Sequence, residues 1–325
     1  MSIVKRLLSS VSQLTQFHPA WSPRRMARTS LIGISSLAIV AGVAGCGTTS
    51  AASPANNTIV IGGKNFTEQD IMADMLSLLI QHDDPKLHVK MKTWLDSSVT
   101  WNAMKNRQID IYVEYTGTGL VNILKDPTTT DPQQAYNTVK QQFEQKYQIT
   151  WLKPIGFNNT YAMAMRKSEA DRLHITDISQ LAAQSGQLTL GTEQDFIARH
   201  DALPAMNQLY GTHFKSVKSM DIGLKYEALT NKKVDVIDAF STDGRIPKYN
   251  LVILKDDKHL FPPYYAVPII QDSVLKAHPE LQSIINKLAG KIDDQEMQKL
   301  NEQVDVNHQK AMDVARAWLT QQGLI

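Results

Sequence analysis

Apolar and polar positions alternate through residues 109–115, which predicts a β-strand that ends at Tyr115. Residues 116–119 read Thr-Gly-Thr-Gly, and the apolar residues that follow predict a tight turn into a helix. An aromatic side chain is therefore expected at the carboxyl end of a strand, beside a helix N-terminus. In α/β proteins this is where ligands bind.

The same patterns predict alternating strands and helices in the first half of the chain. A short apolar strand at residues 59–61 precedes a helix for which Thr67 is the expected N-cap. A second strand is predicted at residues 87–94, and a short helix at residues 99–107 leads into the strand at residues 109–115. This order is typical of an α/β fold with a parallel sheet.

A second α/β unit is predicted after residue 159. Residues 160–165 predict a strand that crosses into this unit, and residues 194–210 predict a largely helical segment with Arg199 on its early part. The prolines among residues 261–270 argue against a central strand and favour an extended connector back to the first unit. Two crossings between two units imply a hinge.

Two stretches of the chain, residues 106–119 and 231–244, align without a gap. Their Asn, Asp and final Gly positions match, two β-branched positions match, and Tyr115 falls opposite Phe240. A match this short also arises by chance or from a generic helix-turn-strand. If the repeat is structural, each unit presents an aromatic ring at the same strand end, and the two units enclose a cleft with aromatic walls.

The net charge of the chain changes when its N-terminal segment is set apart. The 325 residues carry a formal charge of +2, but residues 1–45 hold five of the Lys and Arg residues and no acidic residue. The remainder has 29 basic against 32 acidic residues, a net charge of −3. No overall basic field is left for nucleic acid, so we expect no nucleic-acid partner.

Residues 1–57 have the features of a lipoprotein leader and tether. Arginines precede an apolar run at residues 31–43, which is too short for an ordinary transmembrane helix but suits a secretory signal. The sequence Val-Ala-Gly-Cys that ends at Cys46 resembles a bacterial lipobox. This resemblance implies a signal peptide at residues 1–45, lipidation of Cys46 and extracytoplasmic anchoring to the cell membrane. The alternative is a chance cysteine beside a membrane anchor.

The segment after this cysteine, residues 46–57, is rich in small and polar residues and predicts a flexible tether. Because Cys46 is the only cysteine, the chain forms no intramolecular disulfide and has no second thiol for catalysis.

Catalytic and cofactor motifs are absent from the sequence after Cys46. It contains no Gly-x-Ser-x-Gly, His-Glu-x-x-His or Cys-x-x-Cys, and Asn122 replaces the third glycine of a dinucleotide fingerprint. We therefore expect no cofactor, no metal and no enzyme. An active site built from Glu68, Asp195 and Asp243 is an alternative, although surface carboxylates and helix caps explain such acids more often.

A set of aromatic and cationic residues shares predicted positions at strand ends, turns and crossings. Five segments that contain most of them resemble the substrate-binding proteins of the osmoprotectant (glycine betaine, carnitine, choline) ABC importers, in the order found in that family. The segments are residues 63–69 (GKNFTEQ), 114–118 (EYTGT), 159–162 (NTYA), 241–245 (STDGR) and 261–264 (FPPY).

This resemblance, which extends from about Ile59 to the end of the chain, implies a two-lobed periplasmic-binding-protein fold of type II-like α/β architecture. Residues 58–158 and 262–325 would form the first lobe and residues 159–261 the second lobe. Two hinge crossings would join the lobes, and ligand would bind in the cleft between them.

The resemblance also implies a role for each site residue. The residues matching an aromatic cage around a quaternary ammonium group are Tyr115, Tyr161, Phe240 and Tyr264. The residues matching the carboxylate-binding positions are Lys64, Thr118 and Arg199. Phe240 stands where relatives commonly have tyrosine, so it keeps the π-face and lacks the hydroxyl. Two cations at the carboxylate end favour a zwitterion over choline.

The implied function is capture of a small quaternary amine, such as glycine betaine or carnitine, and its delivery to an ABC permease with its ATPase. The protein is expected to act as a monomer. The alternatives are a choline- or other amine-binding protein of the same class, a secreted enzyme on the same scaffold, and a sensor domain.

Overall fold

The computed structural model describes residues 57–325, which form two five-stranded β-sheets with flanking helices. The strands are β1 (Thr58–Lys64), β2 (His88–Leu95), β3 (Ile111–Tyr115), β4 (Ile149–Trp151), β5 (Tyr161–Arg166), β6 (Thr189–Thr192), β7 (Ser216–Ser219), β8 (Val236–Phe240), β9 (Leu251–Leu254) and β10 (Ala266–Gln271).

The helices of this part of the chain are mostly short. They are α1 (Thr67–Asp83), α2 (Ser97–Lys105), α3 (Pro132–Tyr147), α4 (Lys167–Leu173), α5 (Ile178–Gln184), α6 (Gln194–Ala198), α7 (Leu203–Tyr210), α8 (Ile222–Thr230), α9 (Arg245–Lys248), α10 (Asp272–Ala277), α11 (Glu280–Ile285), α12 (Asp294–Asp305) and α13 (Ala311–Gln321). A π-helix follows β3 at Thr118–Ile123, and 3₁₀ turns occupy Ser185–Gln187 and Asn286–Leu288.

The two sheets have the same strand arrangement. Their orders are β2-β1-β3-β10-β4 and β7-β6-β8-β5-β9. In each sheet the first three strands are parallel, and an antiparallel strand then pairs with the third. The predicted parallel sheet is thus the core of a mixed sheet, and the two sheets fall within the two predicted lobes.

The chain passes between the sheets twice, as the sequence predicted. It leaves the first sheet through residues 152–160 and returns through residues 255–265. The two crossing segments run side by side, because Asn158 and Tyr265 form an antiparallel bridge. The lobe boundaries at residues 158/159 and 261/262 lie within these segments and stay predictions.

The internal repeat predicted from the sequence is confirmed in structural detail. Arg107 and Lys232, which align, both have a left-handed backbone, with φ of 57° and 58°. The aligned acids Asp110 and Asp235 each accept a hydrogen bond from the backbone N–H of a neighbouring strand, at 2.8 and 2.9 Å. Each repeat therefore delivers its aromatic residue to the end of the third strand of its sheet.

Helix α1 is the main packing element of the first lobe. Its buried residues include Ile71, Met72, Met75 and Leu79, the face that the 3.6-residue period predicts. It packs against β1, β2 and the C-terminal helices α11, α12 and α13. The expected N-cap is wrong: Phe66 occupies that position without a side-chain cap, and Thr67 instead donates to Asp305 at 2.6 Å. A tertiary partner on α12 replaces the local one.

The expectation that prolines keep residues 261–270 out of a central strand is also wrong. β10 lies between β3 and β4, and Pro268 pairs with Val113. Pro268 lacks the N–H that would donate to the carbonyl of Leu152 on its other side. The hydroxyl of Tyr136 donates to that carbonyl at 2.6 Å, so the strand accommodates the proline without an unpaired acceptor.

The helical segment predicted at residues 194–210 is broken. α6 ends at Ala198 and α7 begins at Leu203, and Arg199 lies in the break with extended backbone at φ −74° and ψ 137°. The break matters for function, because an extended residue after a short helix carries its side chain away from the helix face and toward the cleft.

Candidate ligand-binding site

A cavity of about 980 Å³ lies between the two sheets, at the ends of β1, β3 and β8. Its lining includes all seven site residues that the resemblance implied: Lys64, Tyr115, Thr118, Tyr161, Arg199, Phe240 and Tyr264. They come from both lobes and from the return crossing. The structure thus brings together residues that are up to 200 positions apart (64 to 264) in the sequence.

The four aromatic residues belong to one cluster of rings. Tyr161 is central, with its ring centroid 5.2 Å from that of Phe240 and 5.8 Å from that of Tyr264. Phe66, which the sequence did not single out, stacks between the rings of Phe240 and Tyr115, with centroid distances of 5.6 and 6.2 Å. Its place beside Lys64 in the strand-to-helix turn was the available signal for this extra wall.

Each of the four predicted cage rings already carries a cation of the protein near its face. The distances to the ring centroids are 5.1 Å from Lys64 Nζ to Tyr115, 5.3 Å from Arg199 Cζ to Tyr161, 5.7 Å from Arg199 Cζ to Tyr264, and 5.2 Å from Lys225 Nζ to Phe240. These are cation–π distances. Each of the four rings thus lines the cavity and already has a cation of the protein within cation–π range.

Lys64 is buried and ion-paired. Its Nζ forms a salt bridge with Glu114, which also accepts from the Tyr112 hydroxyl at 2.7 Å. Burial lowers the pKa of Lys64, and the charge of Glu114 opposes that shift. Lys64 therefore offers a hydrogen-bond donor to the cavity, and its positive charge is balanced by the carboxylate of Glu114.

Arg199 is held by an acid that the sequence did not single out. Asp201 accepts from its Nε at 3.0 Å and its Nη2 at 2.7 Å. Although burial favours the neutral acid, the hydrogen bonds and charge of Arg199 hold the pKa of Asp201 below its usual range. Asp201 also accepts from the Tyr264 hydroxyl and, at 2.8 Å, from Asn122. It fixes two of the predicted site residues at once.

The Arg199 side chain also reaches the opposite lobe. Its two terminal nitrogens lie 3.3 and 3.2 Å from Thr118 Oγ1. Together with the Asn122–Asp201 bond, these contacts join the π-helix of the first lobe to the segment after α6 in the second lobe. Two of the three predicted carboxylate-binding residues, Arg199 and Thr118, thus meet across the cleft.

Glu68 is a buried carboxylate at the start of α1. It accepts hydrogen bonds from four neutral donors, which are Tyr115 Oη at 2.6 Å, Asn159 Nδ2 at 2.7 Å, Thr242 Oγ1 at 2.7 Å and Asn301 Nδ2 at 3.3 Å. Burial raises the pKa of Glu68, and these hydrogen bonds oppose the shift. The donors belong to both lobes and a crossing, so Glu68 links Tyr115, a predicted cage residue, to the hinge.

The acids of the alternative active site lie in different surroundings. Glu68 is saturated by neutral donors, Asp243 pairs with Arg245 at 2.9 Å, and Asp195 lines the cavity. Within residues 57–325 no group of three or more His, Cys, Asp or Glu is placed to hold a metal ion. The backbone N–H of Tyr265 donates to Thr116 Oγ1 at 3.0 Å and its carbonyl accepts from the Thr116 N–H at 3.0 Å, so Tyr265 belongs to the hinge.

A family model described as the substrate-binding domain of the ABC-type glycine betaine transport system (OpuAC) matches residues 57–321. The chain belongs to this family. Its members are extracytoplasmic substrate-binding components of ABC transport systems. In the part of the chain that the structure describes, no helix has the length and apolar character needed to cross a bilayer. Cys46 and the predicted leader lie outside the described residues.

Named relatives and a solved structure are similar over most of this binding protein. It is 41% identical over 266 residues to the carnitine transport binding protein OpuCC of Listeria monocytogenes. The alignment covers 81% of this chain and 86% of that protein. It is 37% identical over 270 residues to the ergothioneine transport permease/ergothioneine binding protein EgtU of Helicobacter pylori (strain G27), covering 82% of this chain and 48% of that protein.

The crystal structure of a glycine betaine/carnitine/choline ABC transporter protein superposes with a TM-score of 0.68 at 38% identity, covering 82% of this chain and 99% of that chain. The two-lobed periplasmic-binding-protein fold expected from the sequence is thereby confirmed.

Proposed function

We propose that this binding protein captures a quaternary-ammonium osmoprotectant, such as glycine betaine or carnitine, in the interlobe cavity and delivers it to an ABC permease. One observation carries the proposal: four aromatic residues line the same cavity as Arg199. They are Tyr115, Tyr161, Phe240 and Tyr264. The family and the names of its relatives support the same ligand class.

A trimethylammonium group explains the need for several rings. It has no N–H and cannot be held by hydrogen bonds, so it is recognised by aromatic faces, each worth about 0.5–2 kcal/mol. Phe240 keeps the face without the hydroxyl. Tyr115 and Tyr264 use their hydroxyls for internal bonds, to Glu68 and Asp201, so their rings are fixed in place before ligand arrives.

The carboxylate of a zwitterionic ligand would be held by Arg199, Thr118 and Lys64. Both cations are already paired, with Asp201 and Glu114, so the site adds donors for a carboxylate without adding net positive charge. Such a site suits a neutral zwitterion, in which one end meets donors and the other end meets rings. Contacts of Arg199 and Thr118 across the cleft would join lobe closure to occupation of the cavity.

We also propose that Cys46 is lipidated after removal of residues 1–45, that residues 46–57 tether the folded body to the membrane, and that the protein acts as a monomer without catalysis. The permease and its ATPase would be separate partners. Processing at Cys46 is tested by mass spectrometry of the membrane fraction, in which Cys46→Ser should leave an unmodified precursor. Monomer mass in light scattering tests the oligomeric state.

Ligand titration of the purified protein tests the central proposal. Glycine betaine, carnitine, choline and ergothioneine are compared by calorimetry, with glycine as the control that lacks the methylated ammonium. We expect saturable binding of at least one methylated ligand and none of glycine. Absence of binding by every methylated ligand contradicts the proposal.

Two further experiments address the alternatives. Recovery of unchanged ligand after long incubation separates a binding protein from an enzyme, and uptake by vesicles carrying the permease separates transport from sensing.

A further inference from the structure

A buried ionic cluster in the second lobe contacts the site described above through Lys225, whose ammonium group lies near the Phe240 ring. Lys225 on α8 is fully buried, and its Nζ donates to Glu193 at 2.8 Å and to Asp238 at 2.7 Å. Two carboxylates thus share one ammonium group, which leaves an excess negative charge when all three are ionised. An excess charge in a buried place is costly unless another group balances it.

This cluster touches the cavity through Glu193. Glu193 is part of the cavity lining, and its side chain is 12% exposed, whereas those of Lys225 and Asp238 are fully buried. Of the two carboxylate oxygens of Glu193, only Oε2 accepts a hydrogen bond from a residue in the range 57–325, and its donor is Lys225. The Lys225 ammonium lies 5.2 Å from the ring centroid of Phe240. The cluster is therefore beside a wall of the predicted cage.

The repeat places Glu193 at the position in the second lobe that Lys64 has in the first. Ile61 of β1 pairs with Ile111, and the corresponding strand β6 pairs through Leu190 with Val236, the residue that aligns with Ile111. Lys64 and Glu193 each come three residues later. The charge of Lys64 is balanced by Glu114, but that of Glu193 is only partly balanced by Lys225.

We propose that Glu193 is a specificity-determining residue that supplies the counter-charge for the ligand's ammonium group. This inference rests on the proposed function. The other charged groups near Glu193 are Lys225 on α8, Asp238 on β8 and Asp195 on α6, with Lys64 and Arg199 on the cavity wall in their own ion pairs. A cationic ligand restores neutrality in the cluster of Glu193, Lys225 and Asp238, so Glu193 favours ligands by their positive charge.

Titration of Glu193 gives a second readout. Burial raises its pKa to about 7, against the opposing charge of Lys225. Because a cation binds better to the ionised carboxylate, affinity should increase as pH rises from about 6 to 8 and then level off. Choline is the probe for this profile, since it has no carboxylate to respond to Lys64.

The test compares Glu193→Gln with the unaltered protein in calorimetric titrations of choline and glycine betaine. We expect choline affinity to fall by about tenfold or more, glycine betaine affinity to fall less, and the choline pH profile to flatten. Glu193→Asp, which keeps the charge, should keep the pH profile and is informative even if Glu193→Gln folds poorly. Glu227→Gln removes a charge from the exposed side of α8, the helix that carries Lys225, and should change affinity by less than about twofold.

The outcomes separate the two proposals. If the unaltered protein binds no methylated amine, the proposed function fails. If it binds them and Glu193→Gln lowers both affinities equally with the pH profile intact, Glu193 is structural and the inference is overturned. The same holds if Glu193→Asp loses the pH profile as Glu193→Gln does.

Discussion

Thr116 and Ser241 make the same hydrogen bonds with opposite crossing segments. Thr116 Oγ1 donates to the carbonyl of residue 263 at 2.8 Å and accepts from the N–H of residue 265 at 3.0 Å. Ser241 Oγ donates to the carbonyl of residue 158 at 2.9 Å and accepts from the N–H of residue 160 at 3.0 Å. Each hydroxyl directly follows an aromatic residue of the cavity, so ring position and hinge geometry are fixed together.

Removal of one hinge hydroxyl should therefore weaken both folding and binding. Ser241→Ala leaves a backbone carbonyl and an N–H of the outgoing crossing without their partner, and we expect a loss of about 1–3 kcal/mol in the free energy of unfolding. Urea denaturation measures this loss, and ligand titration should reveal lower affinity. Ser283→Ala on α11 removes an exposed hydroxyl that bonds only within its helix, and it is the matched control. Equal effects of both variants would rule out a hinge role for Ser241.

Glu68 should lower the free energy of unfolding as pH rises above the pKa that this carboxyl has in the unfolded chain. Its pKa is raised in the folded state by burial, so the folded protein binds this proton more tightly than the unfolded chain does. Stability contributed by Glu68 is present below its unfolded pKa of about 4.3 and is lost as pH rises through its folded pKa. Glu68→Gln should remove this downward component from the curve of unfolding free energy against pH.

Urea denaturation at several pH values measures this curve for both proteins. Glu144→Gln, at an exposed position on α3, is the control that should leave the curve unchanged. A parallel shift of the Glu68→Gln curve at every pH would mean that only the hydrogen bonds of Glu68 matter. Binding should also weaken in Glu68→Gln, because the amide cannot accept from all four donors that now surround the carboxylate.

Gly117 should not tolerate a side chain. A Cβ at this position would lie 2.6 Å from two ring carbons of Tyr264 and 3.0 Å from the carbonyl of Pro263. Gly117→Ala must displace the ring of Tyr264, a predicted cage residue, and we expect a destabilisation of about 1–3 kcal/mol with at least a comparable loss of ligand binding energy. Gly186→Ala, where the nearest atom would be 3.8 Å away, is the matched control. Unchanged affinity of Gly117→Ala would show that the Tyr264 ring does not contact ligand.

Arg199 should distinguish ligands by their carboxylate. Arg199→Ala alone leaves the buried Asp201 without its counter-charge, at a cost of about 3–5 kcal/mol in stability. The double variant Arg199→Ala/Asp201→Asn removes both charges and should fold better. In calorimetric titrations we expect it to lose glycine betaine affinity by a larger factor than choline affinity. Arg172→Ala, an exposed pair with Glu169 in the same lobe, is the control. Equal losses for the two ligands would make Arg199 a structural residue.

Local patterns predicted the parts of the fold that depend on local sequence. The strand ending at Tyr115 and its repeat at Phe240 follow from alternation and turn residues, which require no knowledge of distant partners. The same is true of the two crossings. Two predictions were wrong, the N-cap role of Thr67 and the exclusion of Pro268 from a central strand. In each case a distant group, Asp305 or Tyr136, replaced the local hydrogen bond on which the prediction rested.

The electrostatics of the site could not be predicted in this way. The seven site residues were identified by resemblance, but their charges were taken singly. Glu114 precedes Tyr115 in the same strand, and nothing in the sequence indicates that it pairs with Lys64, fifty residues earlier. Asp201 is two residues from Arg199, yet the pairing depends on the break between α6 and α7. Burial and pairing are properties of the assembled cavity.

The strand order of the first sheet also determines when that sheet can be completed. The second sheet consists of one uninterrupted stretch, from β5 to β9, whereas β3 and β4 are bridged by β10, which is made after the whole second lobe. A chain that stops before Ala266 would have two strands with unpaired edges in one lobe and a full sheet in the other. Because β3 and β10 are far apart in the sequence, their pairing closes a long loop, and we expect it to form slowly. We therefore expect the cavity to be completed only when residues 266–325 close the first lobe.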